Sequence, residues 1–168
     1  NSMLTVINER RYSSHGQWVD CPLVSLFCAS NELPQGEDLN ALFDRLHLRL
    51  IVQPISTEEG FERLLTVPTP PVTATVTLDE IKAARLESEQ IPLSKNGLAG
   101  IHEIRRSAAK LGIRISDRRW KQMIPVIRAA AWLDGATEID KPQLGILVHG
   151  LWETAEERKK VVDMVLDV

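Results

Sequence analysis

The sequence predicts an α/β segment that runs through a stiff linker into an all-helical region, and three observations predict it. A continuously apolar run, Leu23–Ala29, ends in the polar stretch Ser30-Asn31-Glu32-Leu33-Pro34. That pattern reads as a buried parallel strand delivering an amide at its carboxyl end. Pro68, Pro70 and Pro71 fall within four residues, which no helix interior or central strand accommodates. Beyond them, apolar residues recur at helical rather than strand spacing.

In chain order, Leu4 and Ile7 share one face of a helix over Met3–Glu9. Arg10-Arg11-Tyr12, Ser13-Ser14-His15-Gly16 and Gln17-Trp18-Val19-Asp20 read as a β-hairpin, with Gly16 able to take positive φ in the turn. Trp18, close to the hairpin tip, is placed to touch a partner. After the Leu23–Ala29 strand, a short helix is expected over Leu39–His47 and a second buried strand over Leu48–Val52. Hairpin, strand, helix, strand is an α/β order, and it fills residues 1–65. The proline-rich linker takes 66–74.

Residues 75–168 are expected to be helical throughout. Thr77-x-x-Glu80 is a capping box that opens a helix to about Ser88. Leu98, Ile101, Ile104, Ala108 and Leu111 form the stripe of a second helix, closed by Gly112. Ser116 caps a third, with Trp120, Met123, Ile124, Ile127, Ala130 and Ala131 on one face and Gly135 at its end. Pro125 removes a backbone hydrogen bond in mid-helix, at a cost of about 3 kcal/mol, and is expected to kink it. Asp140 and Thr154-x-x-Glu157 cap two more, near Lys141–His149 and Ala155–Leu166.

Composition narrows the function classes. With 43% hydrophobic and 26% charged residues the chain can bury a core. Its apolar runs all fall short of the roughly 18 residues of a membrane span, and its first residues lack a charged signal-peptide region, so a cytoplasmic protein is expected. Cys21 and Cys28 lie seven apart on an extended stretch, too distant for a disulfide. They have no metal-ligand spacing, and are read as reduced packing residues. The net charge of −3 hides a local excess: Arg105–Arg128 holds eight basic groups against Asp117 alone. The four histidines are scattered, and no Ser-His-Asp, Cys-His or G-x-S-x-G pattern is present.

Three places carry candidate chemistry. Asn31, ending the first strand, could orient a water or donate to a phosphate, or simply close the strand as an Asx-turn. Arg45 and Arg49 could reach a nucleotide on a neighbouring subunit, or form surface ion pairs with Asp44 or Glu37. In Ser116-Asp117-Arg118-Arg119-Trp120, a first-turn arginine beside open backbone N–H groups could hold phosphate, or belong to the solvated face of an amphipathic helix. No G-x-x-x-x-G-K-[ST] phosphate-gripping loop occurs in the sequence.

Taken together and in order, Leu4–Arg10, Ala29–Pro34, Ala41–Leu46 and Ile115–Lys121 closely resemble the MoxR group of AAA+ ATPases, nearest to its regulatory ATPase variant A branch. The likeness runs almost end to end and is weakest between Ser56 and Lys95. It implies the C-terminal part of an AAA+ P-loop core followed by an all-α helical lid. Asn31 would be sensor 1, Arg45 the arginine finger acting on the adjacent subunit, and Arg118 the sensor 2 residue, with Arg119 as the alternative. The hairpin would face a central pore or a client. The family's phosphate loop and Mg²⁺-binding carboxylates would lie upstream of Asn1.

The resemblance further implies a cytoplasmic, hexameric, chaperone-like ATPase that uses ATP and Mg²⁺ to remodel or activate client proteins. A von Willebrand factor A domain protein is an implied partner, and the 168-residue segment alone is expected to be inactive. Two other readings stand beside it. The helices flanking Gly112-Ile113-Arg114-Ile115 imitate a helix-turn-helix carrying the basic excess, as in a nucleic-acid-binding module. Alternatively, hairpin and lid form a non-catalytic interaction scaffold.

Overall fold

The computed structural model describes residues 2–33 and 37–168, and the chain divides into two compact units, Asn1–Leu48 and Arg49–Val168. Secondary structure is mostly helical, with one two-stranded sheet among the described residues.

In the first unit, α1 (Ser2–Glu9) ends where Arg10 takes a φ of 58°. That left-handed residue turns the chain directly into the hairpin of β1 (Arg11–Ser14) and β2 (Gln17–Asp20). The strands pair antiparallel, Arg11 opposite Asp20 and Ser14 opposite Gln17. His15 and Gly16 both have positive φ, 50° and 79°, the demand of a two-residue type I′ turn whose twist matches the strands. Arg11 places its guanidinium 4.7 Å from the centre of the Trp18 ring, a diagonal cross-strand pair. Arg10 also ties the hairpin's exit, since its Nη1 donates to the Leu23 carbonyl at 2.6 Å.

The two expected buried strands are absent. Leu23–Ala29 and Leu48–Val52 run without any ladder. Phe27 is 93% exposed and Val52 90%. An uninterrupted apolar run specifies burial on both faces of a parallel sheet, but parallel pairing needs neighbouring strands brought in by crossovers. The only sheet among the described residues is the hairpin, so the two runs have nothing to pair with. Cys28 is correspondingly exposed rather than packed, while Cys21 is half-buried.

The short helix is also displaced. Here α2 (Glu37–Phe43) stops four residues before His47. Arg45 and Leu46 then donate to carbonyls only three residues back, Leu42 and Phe43, which tightens the end into turns.

In the second unit α3 (Glu58–Thr66) was not foreseen. Thr57 caps it by accepting from the Gly60 N–H, and Glu58 and Glu59 sit in its first turn. With glycine where a capping box has Glu or Gln, the usual start signal is incomplete.

The remaining helices follow the sequence closely: α4 (Leu78–Glu89), α5 (Lys95–Lys110), α6 (Asp117–Leu133), a 3-10 helix (Lys141–His149) and α7 (Ala155–Leu166). Thr77, Asp140 and Thr154 all form capping boxes. At the end of α5, Ile113 donates to Ala108 and Gly112 to Ala109. This is the paired bonding of a Schellman motif, with Gly112 supplying positive φ. Gly135 ends α6 by the same pattern. Pro125 is exposed, and α6 runs on past it to Leu133.

The core of this unit gathers Ile104, Met123, Ile127, Ile139, Leu144, Leu147, Trp152 and Val161, all essentially without solvent exposure. The 3-10 helix lies centrally, packed against α5, α6 and α7, while α4 packs on α6.

Candidate functional site

The helical unit separates two adjacent arginines by burial. In α6 the buried positions are Arg119, Met123, Ile127 and Ala131, an unbroken four-residue spacing that turns one stripe inward. Arg119 is 5% exposed and its Nε donates to the Gly150 carbonyl at 2.6 Å. Arg118, one residue earlier and about 100° around the helix, is exposed. Ser116 caps the helix by accepting the Arg119 N–H at 3.1 Å. The first turn of α6 therefore offers one guanidinium to solvent beside a helix N-terminus, where an anion is favoured.

Arg49, the alternative to Arg45, is buried at 5% exposure, and its Nη1 donates to the Trp152 carbonyl. Its backbone N–H also donates to His149 at 2.8 Å. Two arginines far apart in sequence thus converge on the turn His149–Trp152, which leaves the 3-10 helix for α7. Neither was singled out as structural from the sequence. A charged residue at Arg49, set in the apolar run Leu48–Val52, was the available signal.

In the other unit Arg45 is half-buried just beyond α2. Its Nε donates to Asn8 Oδ1 at 2.9 Å and its Nη1 to the Ala41 carbonyl, so α1 and α2 together orient the guanidinium. Asn31 lies exposed in a bend. The turn around it is closed by its neighbour: Ser30 Oγ donates to the Glu32 carbonyl and accepts the Glu32 N–H. Pro34 lies outside the described residues.

A family model for the MoxR domain of MoxR–vWA–beta-propeller ternary systems matches residues 1–89, and one for the AAA lid domain matches residues 98–165. The first covers 89 of 168 residues, more than half. The chain belongs to the MoxR group of AAA+ proteins. Within this MoxR chain the lid match takes in most of α5, all of α6 and the 3-10 helix, and α7 nearly to its end.

The MoxR chain is similar to two uncharacterised proteins of Methanocaldococcus jannaschii. MJ0812 is 34% identical over 162 residues, 96% of this chain and 43% of that protein. MJ0079 is 31% identical over 170 residues, 100% of this chain and 44% of that protein. The chain thus spans less than half the length of these relatives. No helix among the described residues is long and apolar enough to cross a membrane.

Proposed function

We propose that the intact protein is an ATP-hydrolysing MoxR machine that remodels or activates client proteins as a hexamer, and that this chain carries its sensing and trans-acting residues. The reading joins a helical lid to the C-terminal part of an AAA+ core at the linker 66–74. The observation that carries it is the split between Arg118 and Arg119. Only Arg118 presents a guanidinium outward from the first turn of α6, so Arg118 takes the sensor 2 role and Arg119 holds the lid together.

The donor set suits a polyphosphate: guanidinium and amide groups bind phosphate oxygens directly. When bound, ATP supplies the transferable phosphoryl group and Mg²⁺ offsets its charge. Arg118 binds phosphate oxygens from the lid. Arg45, held by Asn8 and Ala41, reaches the adjacent subunit's nucleotide, where a fixed cation stabilises charge developing in the transition state. Asn31 orients the attacking water. The matched family's name points to a von Willebrand factor A domain protein as partner.

Arg118→Ala in the full-length protein tests this. ATP affinity or turnover should fall at least about tenfold, a loss of one charge-assisted contact, while the melting temperature stays put. Hydrolysis that is unaltered by the substitution would overturn the assignment.

A further inference from the structure

The helical unit has an open groove of about 510 Å³ at the junction of α5, the Gly112 turn and the chain leading into α7. Ala108 and Ile113 form a buried floor, and the half-buried Trp120 ring stands as one wall. The exposed Arg105, Arg114 and Glu153 also line it. Arg118 does not line it.

Two guanidiniums, Arg105 and Arg114, line the groove against one carboxylate, Glu153, and the sequence through α5 and the start of α6 adds further positive charge. Arg105, Arg106, Lys110, Arg114, Arg118 and Lys121 are all exposed, and Asp117 is the one carboxylate within Arg105–Lys121. Asp117 approaches Arg105 only at 4.0 Å, with 64% and 97% of the two side chains exposed. Such a pair is worth little and yields readily to a better acceptor. The chain as a whole is acidic, at −3, so this basic surface runs against its average.

We infer that the groove is a docking site for an acidic, aliphatic-bearing peptide segment of a partner protein. An aliphatic side chain seats on Ala108 and Ile113 against Trp120, and flanking carboxylates meet Arg105 and Arg114, whose planar guanidiniums take carboxylates bidentately. The N-terminus of α6 adds its positive end to the same side. A peptide fits better than a nucleic acid. The lining is aliphatic and indole surface without side-chain amides to read bases, and the Ser116 hydroxyl already accepts the Arg119 N–H. Arg118 lies outside the lining, so the docking site does not use the guanidinium assigned to phosphate.

The test is fluorescence anisotropy of a labelled twelve-residue peptide alternating Glu with Leu, titrated with the 168-residue chain. Saturable binding is expected, weakening with added salt and at least about tenfold weaker in the Arg105→Glu/Arg114→Glu variant. Ala109→Trp, an exposed position on the groove wall, should block binding without disturbing the core. Circular dichroism on both variants establishes that they are folded. Four outcomes overturn the proposal: no saturable binding, equal binding by the folded charge-reversed variant, equal binding of a Lys/Leu peptide, or tighter binding of single-stranded DNA of the same charge.

Discussion

Arg119 donates from Nε to the carbonyl of Gly150 at 2.6 Å, joining the first turn of α6 to the turn that follows the 3-10 helix. A buried carbonyl has no water to fall back on, so this bond sets where α7 begins relative to α6. Arg49 holds the same turn from the opposite end of the unit's sequence, through the carbonyls of Trp152 and His149.

Arg119→Ala should therefore lower the unfolding free energy of the helical unit by about 1–3 kcal/mol, the cost of leaving a buried acceptor unpaired. Arg118→Ala should leave it within about 0.5 kcal/mol, as surface substitutions do. Urea melts monitored at 222 nm compare the two. Equal destabilisation by both would contradict the inward and outward assignment.

Gly97 lies against backbone. A Cβ there would meet the Ile139 carbonyl oxygen at 2.4 Å, the same oxygen that accepts the Ser94 N–H, while the Ile139 N–H donates to the Pro92 carbonyl. Gly97→Ala should destabilise by at least about 2 kcal/mol, because neither backbone can withdraw cheaply. Gly145, with nothing within 4 Å of its Cβ position, is the control, and Ala there should change stability by less than about 1 kcal/mol. Thermal melts of the two variants decide it.

Arg45 is expected to act only in the assembled protein. Arg45→Ala in the full-length chain should cut turnover by about 10³–10⁵ if it works as an arginine finger, with nucleotide binding retained. Asn8→Ala removes the group that orients its Nε, and a smaller loss in the same direction is expected. Unchanged turnover in Arg45→Ala would favour a non-catalytic scaffold.

The helix caps respond to acid. Hydrogen bonds from the backbone and then the side chain of Thr77 hold the Glu80 carboxyl below its ordinary 4.5. A depressed carboxylate contributes stability that is complete above its unfolded value and is lost as pH falls through the folded one. The melting temperature should accordingly drop below pH 4.5, and Glu80→Gln should flatten part of that drop. An identical acid profile in the variant would show that the cap does not carry the effect.

Helix starts and stops were legible because they are local. Thr77, Ser116, Asp140, Thr154, Gly112 and Gly135 each act through atoms a few residues away, and all appear where the sequence places them. The hairpin was legible for the same reason, since a two-residue turn with Gly16 sets its own register. The strands were not, because Leu23–Ala29 and Leu48–Val52 encode burial against partners that the hairpin does not provide. Motif order singles out Asn31 and Arg45 as candidates, but not what Arg45 bonds to: Asn8 lies 37 residues away.

By itself, then, the sequence determined the caps, the turn and the membership in the MoxR group, all properties of short-range bonding or of residue order. Of the α5 stripe it predicts, Ile104 and Ala108 are buried but Leu98 and Leu111 are exposed. Tertiary structure alone decided which of two neighbouring arginines faces water, and that Arg49 is buried. Which side of a helix meets the core depends on the elements packed around it. A single residue step turns a side chain by about 100°, enough to exchange solvent for the carbonyl of Gly150.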